Sequence, residues 1–232
     1  MSAAPLHIGI VACSAAGAAL CYRTVCEEGA QLLGPHAHPE VSMHTPSLAL
    51  YVECLERGDW PGVGELMLAS AQKLAAIGAD FLICPDNTIH QALPQVLPRS
   101  PLPWLHIAEV VAEVAVQGGY RKLGLLGTRW LVASNTYPEA LDARGIGWLR
   151  PTDAERDELN RIIMDELVCG LFKPESVAAF QRAIERMRGE GCDAVVLGCT
   201  EIPLVIADGN SALPTLDSTR LLARAALRRA VG

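Results

Sequence analysis

The chain has 232 residues and a net charge of −7, with 50% of residues hydrophobic and 19% charged. That length suits one large α/β domain or two small lobes, and aromatics at 5% leave the core to aliphatic packing. An acidic chain without a block of like charge argues against nucleic acid and against an anionic membrane surface as partners.

Taken in order, the elements alternate. A strand over 7–12 precedes a helix over about 17–33, and Gly34-Pro35-His36-Ala37-His38-Pro39-Glu40 reads as a loop. Residues 8–22 are uncharged and contain Ala15-Ala16-Gly17-Ala18, but no Lys or Arg precedes them. They read as a first core strand and helix, not as a leader, and are too short to span a bilayer. The expected location is therefore the cytoplasm. A strand over 40–44 ends in His44-Thr45-Pro46, a helix covers about 62–77, and a strand covers 80–84. Another helix is expected after Asn87, then a strand over 103–106. The second half repeats the scheme: helix 107–118, strand 122–126, helix 130–143, strand 146–149 and helix 153–169. A helix from Pro174 to Gly189 follows, with Pro in its first turn, then strand 193–197 and a helix after Thr200. Strand 213–216 and helix 218–230 finish the chain. Such alternation predicts an α/β fold of parallel sheets with helices on both faces.

The two halves match one another. Gly78-Ala79-Asp80-Phe81-Leu82-Ile83-Cys84-Pro85-Asp86-Asn87-Thr88 runs parallel, without a gap, to Gly191-Cys192-Asp193-Ala194-Val195-Val196-Leu197-Gly198-Cys199-Thr200-Glu201. Each is a Gly-x-Asp turn, a buried apolar strand and a polar cluster. Ile8–Ser14 likewise resembles Leu123–Arg129, and Pro101–His106 resembles Ala212–Asp217. Two pseudo-symmetric lobes are expected, each with a parallel four-stranded sheet: 1–106 with 217–232, and 107–216.

The polar clusters lie at the C-terminal ends of strands, where open parallel sheets bind ligands. Asp86 and Cys199 occupy equivalent points, and both can move a proton. A helix starting after Cys199 would favour its thiolate, and free N–H groups beside Asn87, Thr88 and Thr200 would bind a carboxylate. Removing a proton from one face of an α-carbon and delivering one to the other inverts that carbon without metal or pyridoxal. The eight cysteines, at 13, 21, 26, 54, 84, 169, 192 and 199, include no Cys-x-x-Cys pair or zinc spacing. They are expected reduced, and His36-x-His38 is read as solvated loop, so no metal site is expected.

Asp86-Asn87-Thr88-Ile89-His90 and Leu197-Gly198-Cys199-Thr200-Glu201-Ile202-Pro203 resemble the aspartate/glutamate racemase family. Leu125-Leu126-Gly127-Thr128 and Pro103-Trp104-Leu105-His106-Ile107-Ala108 fit as well, so the likeness covers nearly the whole chain. The resemblance implies cofactor-independent racemisation of a small acidic amino acid by two flavodoxin-like lobes, in a homodimer. It implies Cys199 and Asp86 as the acid/base pair, and Ser14, Asn87, Thr88, Thr128, Lys173, Thr200 and Glu201 as substrate-binding residues. Lys173 matches a lysine that faces the distal carboxylate in some members.

Two departures stand out. Most members carry a cysteine before Asn-Thr, where this chain has Asp86, with Cys84 two residues upstream on the same strand face. The internal repeat aligns Asp86 with Cys199, while Cys84 remains the alternative if the loop bulges. The first loop reads Ala12-Cys13-Ser14-Ala15-Ala16-Gly17 where Gly-Gly-Met is usual, so Ala15 and Ala16 replace larger or polar side chains. With the first-lobe cysteine gone, a single-cysteine decarboxylase, a cis-trans isomerase of a small diacid, or a non-catalytic small-ligand binder are the competing readings.

Overall fold

The computed structural model describes residues 4–232 and is α/β, with two four-stranded sheets that are parallel throughout. The first contains β1 (Ile8–Val11), β2 (Val41–His44), β3 (Phe81–Ile83) and β4 (Trp104–Leu105) in the order β2-β1-β3-β4. The second contains β5 (Lys122–Leu126), β6 (Gly147–Leu149), β7 (Ala194–Leu197) and β8 (Thr215–Asp217) in the order β6-β5-β7-β8. The two orders are the same, so the halves share one topology. The chain divides into two compact units, Met1–Ile107 with Thr219–Gly232, and Ala108–Ser218.

In the first unit the long helices are α1 (Ala15–Leu33), α2 (Leu48–Arg57) and α3 (Trp60–Ala76). A short helix α4 (Leu93–Val96) follows β3, and α5 (Ile107–Gln117) leads out of β4. The second unit holds α5 from Ala108 onward, with α6 (Arg129–Ala133), α7 (Thr136–Asp142), α8 (Asp153–Ile162) and α9 (Pro174–Gly189). The final helix α10 (Ser218–Val231) returns to the first unit, where Arg224 pairs with Glu28 of α1 and Leu6 N–H donates to the Ala230 carbonyl at 2.8 Å. Strands β1, β3 and β7 are buried along their whole length, the pattern of parallel strands covered on both faces. In the second unit Leu126, Val195 and Leu197 pack with Leu159 and Ile162 of α8 and Phe180 and Ile184 of α9. Burying each such side chain contributes about 1.5–3 kcal/mol.

The repeated Gly-x-Asp turn has one physical cause in both halves. Gly78 and Gly191 take φ of 93° and 86°, which only glycine adopts without strain. The aspartate then clamps the start of the neighbouring strand. Asp80 accepts from His7 N–H at 2.7 Å and donates its own N–H to the His7 carbonyl at 2.8 Å. Asp193 accepts from the N–H groups of Arg121 at 2.8 Å and Lys122 at 3.1 Å, and donates its N–H to the Lys122 carbonyl at 2.9 Å.

The structure corrects the sequence reading at several elements. Helix α2 was not expected, although Ser47 precedes it, Gly58 closes it in the left-handed region and Tyr51, Cys54 and Leu55 give it one buried face. No long helix follows Asn87. A 3₁₀ turn (Thr88–Ala92), α4 and a second 3₁₀ turn (Leu97–Arg99) stand there, because Pro94 and Pro98 deny the backbone donors a longer helix needs. A 3₁₀ turn (Ile202–Leu204) containing Pro203 likewise replaces the helix expected after Thr200. The expected helix 130–143 splits into α6 and α7 where the Ser134 hydroxyl donates to the Leu131 carbonyl at 2.7 Å and accepts from Thr136 N–H at 3.2 Å. The expected helix 153–169 ends at Ile162 and passes into a π turn (Ile163–Leu167) that buries Glu166. Among the described residues no helix is long and apolar enough to cross a membrane, and no three His, Cys, Asp or Glu side chains gather to hold a metal. His38 instead bonds the Pro39 carbonyl through Nδ1 at 2.8 Å.

Candidate active site

In the first unit β1 and β3 are neighbours, so the loops leaving their C-terminal ends lie side by side. After β1, Ser14 is buried and caps α1, accepting from Gly17 N–H at 3.3 Å. After β3 come Cys84, Pro85, Asp86, Asn87 and Thr88. Asp86 is half-buried, whereas Asn87 and Thr88 are buried.

Two side chains hold this turn through the Asp86 carbonyl. The Cys84 thiol donates to it at 3.7 Å. Complete burial, and then the charge of Asp86, push that thiol well above its ordinary range, so Cys84 stays a neutral packing group. His90 bonds the same carbonyl through Nδ1 at 2.8 Å, while its Nε2 accepts from Ile107 N–H at 3.4 Å. That pair of bonds assigns the proton to Nδ1. Burial first, and then His106 packed edge-on at 4.8 Å, pull His90 down to about 3, so the ring is neutral at physiological pH. His90 therefore ties the β3 turn to the start of α5.

In the second unit β5 and β7 are neighbours in the same sense. Gly127 and Gly198 leave their ends in close contact: a Cβ on Gly198 would stand 2.6 Å from the Leu126 carbonyl oxygen, and one on Gly127 would stand 3.1 Å from the Gly198 oxygen. Only glycine permits the approach, and Gly198 N–H uses it to donate to Leu126 at 2.8 Å. Thr128 then caps α6, accepting from Leu131 N–H at 3.2 Å.

Cys199 follows Gly198 and is 8% exposed. Its thiol donates to Glu201 Oε2 at 3.0 Å, and the Thr200 hydroxyl donates to the same oxygen at 2.6 Å. Glu201 is 3% exposed and so forms the floor of this turn. A carboxylate there favours the thiol over the thiolate, because two like charges at that distance repel. The helix-dipole argument for Cys199 does not hold, since no helix of useful length starts there.

Lys173 precedes α9 and is half-exposed; its ammonium lies 3.4 Å from Glu166 Oε1. The same glutamate accepts from Ser176 and from Arg161, and these two, ahead of Lys173, hold it at about 2. Glu166 is a partner that the sequence reading missed, turned inward by the π turn. Within the first unit the structure thus gathers Ser14, Asp86, Asn87 and Thr88 at adjoining strand ends. Within the second it gathers Thr128, Cys199, Thr200 and Glu201, with Lys173 on the segment before α9.

The chain matches the family described as Asp/Glu/Hydantoin racemase over residues 8–226. It is 24% identical over 162 residues to the broad specificity amino-acid racemase RacX of Bacillus subtilis (strain 168), covering 68% of each chain. A solved structure from Yersinia pestis is 28% identical with a TM-score of 0.88, covering 98% of this chain and 100% of that one. The structure of an aspartate racemase homologue from Pyrococcus horikoshii OT3 is also 28% identical, with a TM-score of 0.83 and coverage of 97% and 99%.

Proposed function

The chain belongs to the Asp/Glu/Hydantoin racemase family, whose named racemases are isomerases, and on that premise we propose that it racemises a small acidic amino acid, aspartate or glutamate, without a cofactor. In this reading Asp86 and Cys199 exchange protons with the substrate α-carbon. The observation that carries it is the Cys199 thiol held as a proton donor against the buried Glu201 carboxylate. It stands at the strand-end position that the internal repeat matches to Asp86.

The protons balance in both directions. In one, the Asp86 carboxylate takes the α-proton and the resulting carbanion takes the Cys199 S–H proton on its opposite face. That leaves a protonated Asp86, a Cys199 thiolate and the inverted α-carbon. The other direction begins from this second form. Glu201 keeps Cys199 protonated in the first form, and an aspartate is ionised at neutral pH unless burial raises it. Hydroxyl and amide donors on Ser14, Asn87, Thr88, Thr128 and Thr200 suit the substrate's α-carboxylate. An ammonium has three donors, so Lys173 can hold Glu166 and a distal substrate carboxylate together. The resemblance also leads us to propose a homodimer, which sedimentation would test.

The deciding experiment is proton NMR of L-aspartate and L-glutamate in D₂O, with Cys199→Ser alongside. Loss of the α-proton signal in the wild type and not in the variant, with appearance of the D enantiomer, is the expected result. No exchange with either amino acid would overturn the acidic amino-acid reading.

A further inference from the structure

Glu166 is 4% exposed, and side chains from three segments of the second unit converge on its carboxylate. The Ser176 hydroxyl, on α9, donates to Oε2. Arg161 Nη1, on α8, donates to Oε1 at 2.7 Å, and Lys173 Nζ lies 3.4 Å from the same oxygen. The π turn (Ile163–Leu167) makes the convergence possible. On an unbroken α-helix Arg161 would face Asp165, four residues on. The wider turn, in which Val168 N–H donates to the Ile163 carbonyl at 3.0 Å, brings Glu166 to Arg161 instead and leaves Asp165 exposed. Such turns are rare and recur at functional sites.

The same turn is tied to the Cys199 segment. Ile163 and Leu167 belong to one packed cluster with Cys199, Ile202 and Ile206. The turn therefore packs beside Cys199 through its apolar residues and holds Lys173 through Glu166. The three partners of Glu166 are not equivalent. A buried carboxylate needs compensation, and Ser176 first, then Arg161, supply it ahead of Lys173. Arg161 also faces the acidic groups of Asp165 and Glu158, which share its charge. Lys173 has Glu166 as its one acidic partner among the described residues. Its ammonium is half-exposed and keeps two donors beyond the one directed at Glu166.

We propose that Glu166 is the positioning residue for Lys173: its carboxylate fixes the ammonium so that the remaining donors receive the distal carboxylate of a dicarboxylate ligand. The proposal rests on the reading of Lys173 as the residue that meets that carboxylate. A free lysine side chain loses much rotamer entropy when a ligand immobilises it. Holding it in place beforehand on Glu166 reduces that cost of binding.

The test is titration calorimetry with succinate, glutarate and butyrate. The first two carry the aspartate and glutamate carboxylates without the ammonium, and butyrate lacks the second carboxylate. Wild type should bind the better dicarboxylate about tenfold or more tightly than butyrate, as one charge-assisted contact allows. Lys173→Met and Glu166→Gln should each lose most of that ratio. The double variant should lose no more than Lys173→Met, because both changes remove one contact. A role confined to stability would weaken all three ligands alike and leave the ratio intact. An unchanged or higher ratio in Glu166→Gln, additive losses in the double variant, or a wild type without preference would overturn the proposal. If Glu166→Gln does not fold, Ser176→Ala releases the same carboxylate on one side. That variant should lower the ratio about threefold, and an unchanged ratio there overturns the proposal equally. A wild type that prefers dicarboxylates but exchanges no α-proton of aspartate or glutamate would sink the racemase reading and leave the role of Glu166 standing.

Discussion

Cys199 and Glu201, two residues apart, are joined by a 3.0 Å hydrogen bond from thiol to carboxylate, and Thr200 completes the arrangement by donating to the same carboxylate oxygen. Glu201 is therefore the carboxylate through which the proton on Cys199 can be tested. Glu201→Gln keeps the shape and an acceptor but removes the charge. Racemisation should fall about 10- to 100-fold, while alkylation of Cys199 by iodoacetamide at pH 7, followed by mass spectrometry of its peptide, should become several-fold faster. Slower alkylation in the variant would show that the carboxylate instead promotes the thiolate.

The proposed acid/base role of Asp86, with Cys84 as a neutral packing group, is tested by two variants. Asp86→Asn should lower kcat by about 10²- to 10⁴-fold. Cys84→Ala should leave kcat within about threefold and cost about 1 kcal/mol of stability, because it only empties part of a buried site. The reverse order in steady-state kinetics would return the role to Cys84.

His90 makes a pH-dependent contribution to stability. Its folded pKa, near 3, lies below its unfolded value of about 6.5, so the unfolded chain binds the extra proton. This group's effect is absent above pH 6.5. As pH falls from there towards 3 it removes stability, by up to about 1.4 kcal/mol per pH unit. Urea unfolding at a series of pH values should show that slope in the wild type and a shallower one in His90→Gln. Equal slopes would mean that His90 is protonated in the folded protein.

Gly198 should tolerate no side chain. In Gly198→Ala the added Cβ meets the Leu126 carbonyl oxygen, a backbone atom that cannot swing aside, as well as Leu131. A loss of about 1–3 kcal/mol in thermal unfolding is expected, together with lower activity, because the same glycine sets the start of the Cys199 turn. An unchanged melting temperature would show that the β5 and β7 ends can separate without penalty.

Much of the fold was legible in the sequence for local reasons. A glycine that must take positive φ, an aspartate that clamps the next strand and a short apolar run recur as Gly78-x-Asp80 and Gly191-x-Asp193, and these needs are met by neighbours in the chain. The same repetition singled out Asp86 and Cys199. Helix lengths depart from the apolar period where prolines at 94, 98 and 203 shorten them. Helix α2 was missed although Ser47 and Gly58 mark its ends.

Side-chain direction was not legible in the same way. That Cys84 turns to the Asp86 backbone, that His90 spends both nitrogens on Asp86 and Ile107, and that Glu166 meets Lys173 are outcomes of packing. So is the complete burial of Tyr51 on α2. The sequence by itself determined the two-fold α/β plan and the residue types at the strand ends, because period, turn chemistry and apolar runs act over a few residues. Only the tertiary structure decided which of those residues are buried and what they bond, because burial and hydrogen-bond partners come from segments distant in the chain.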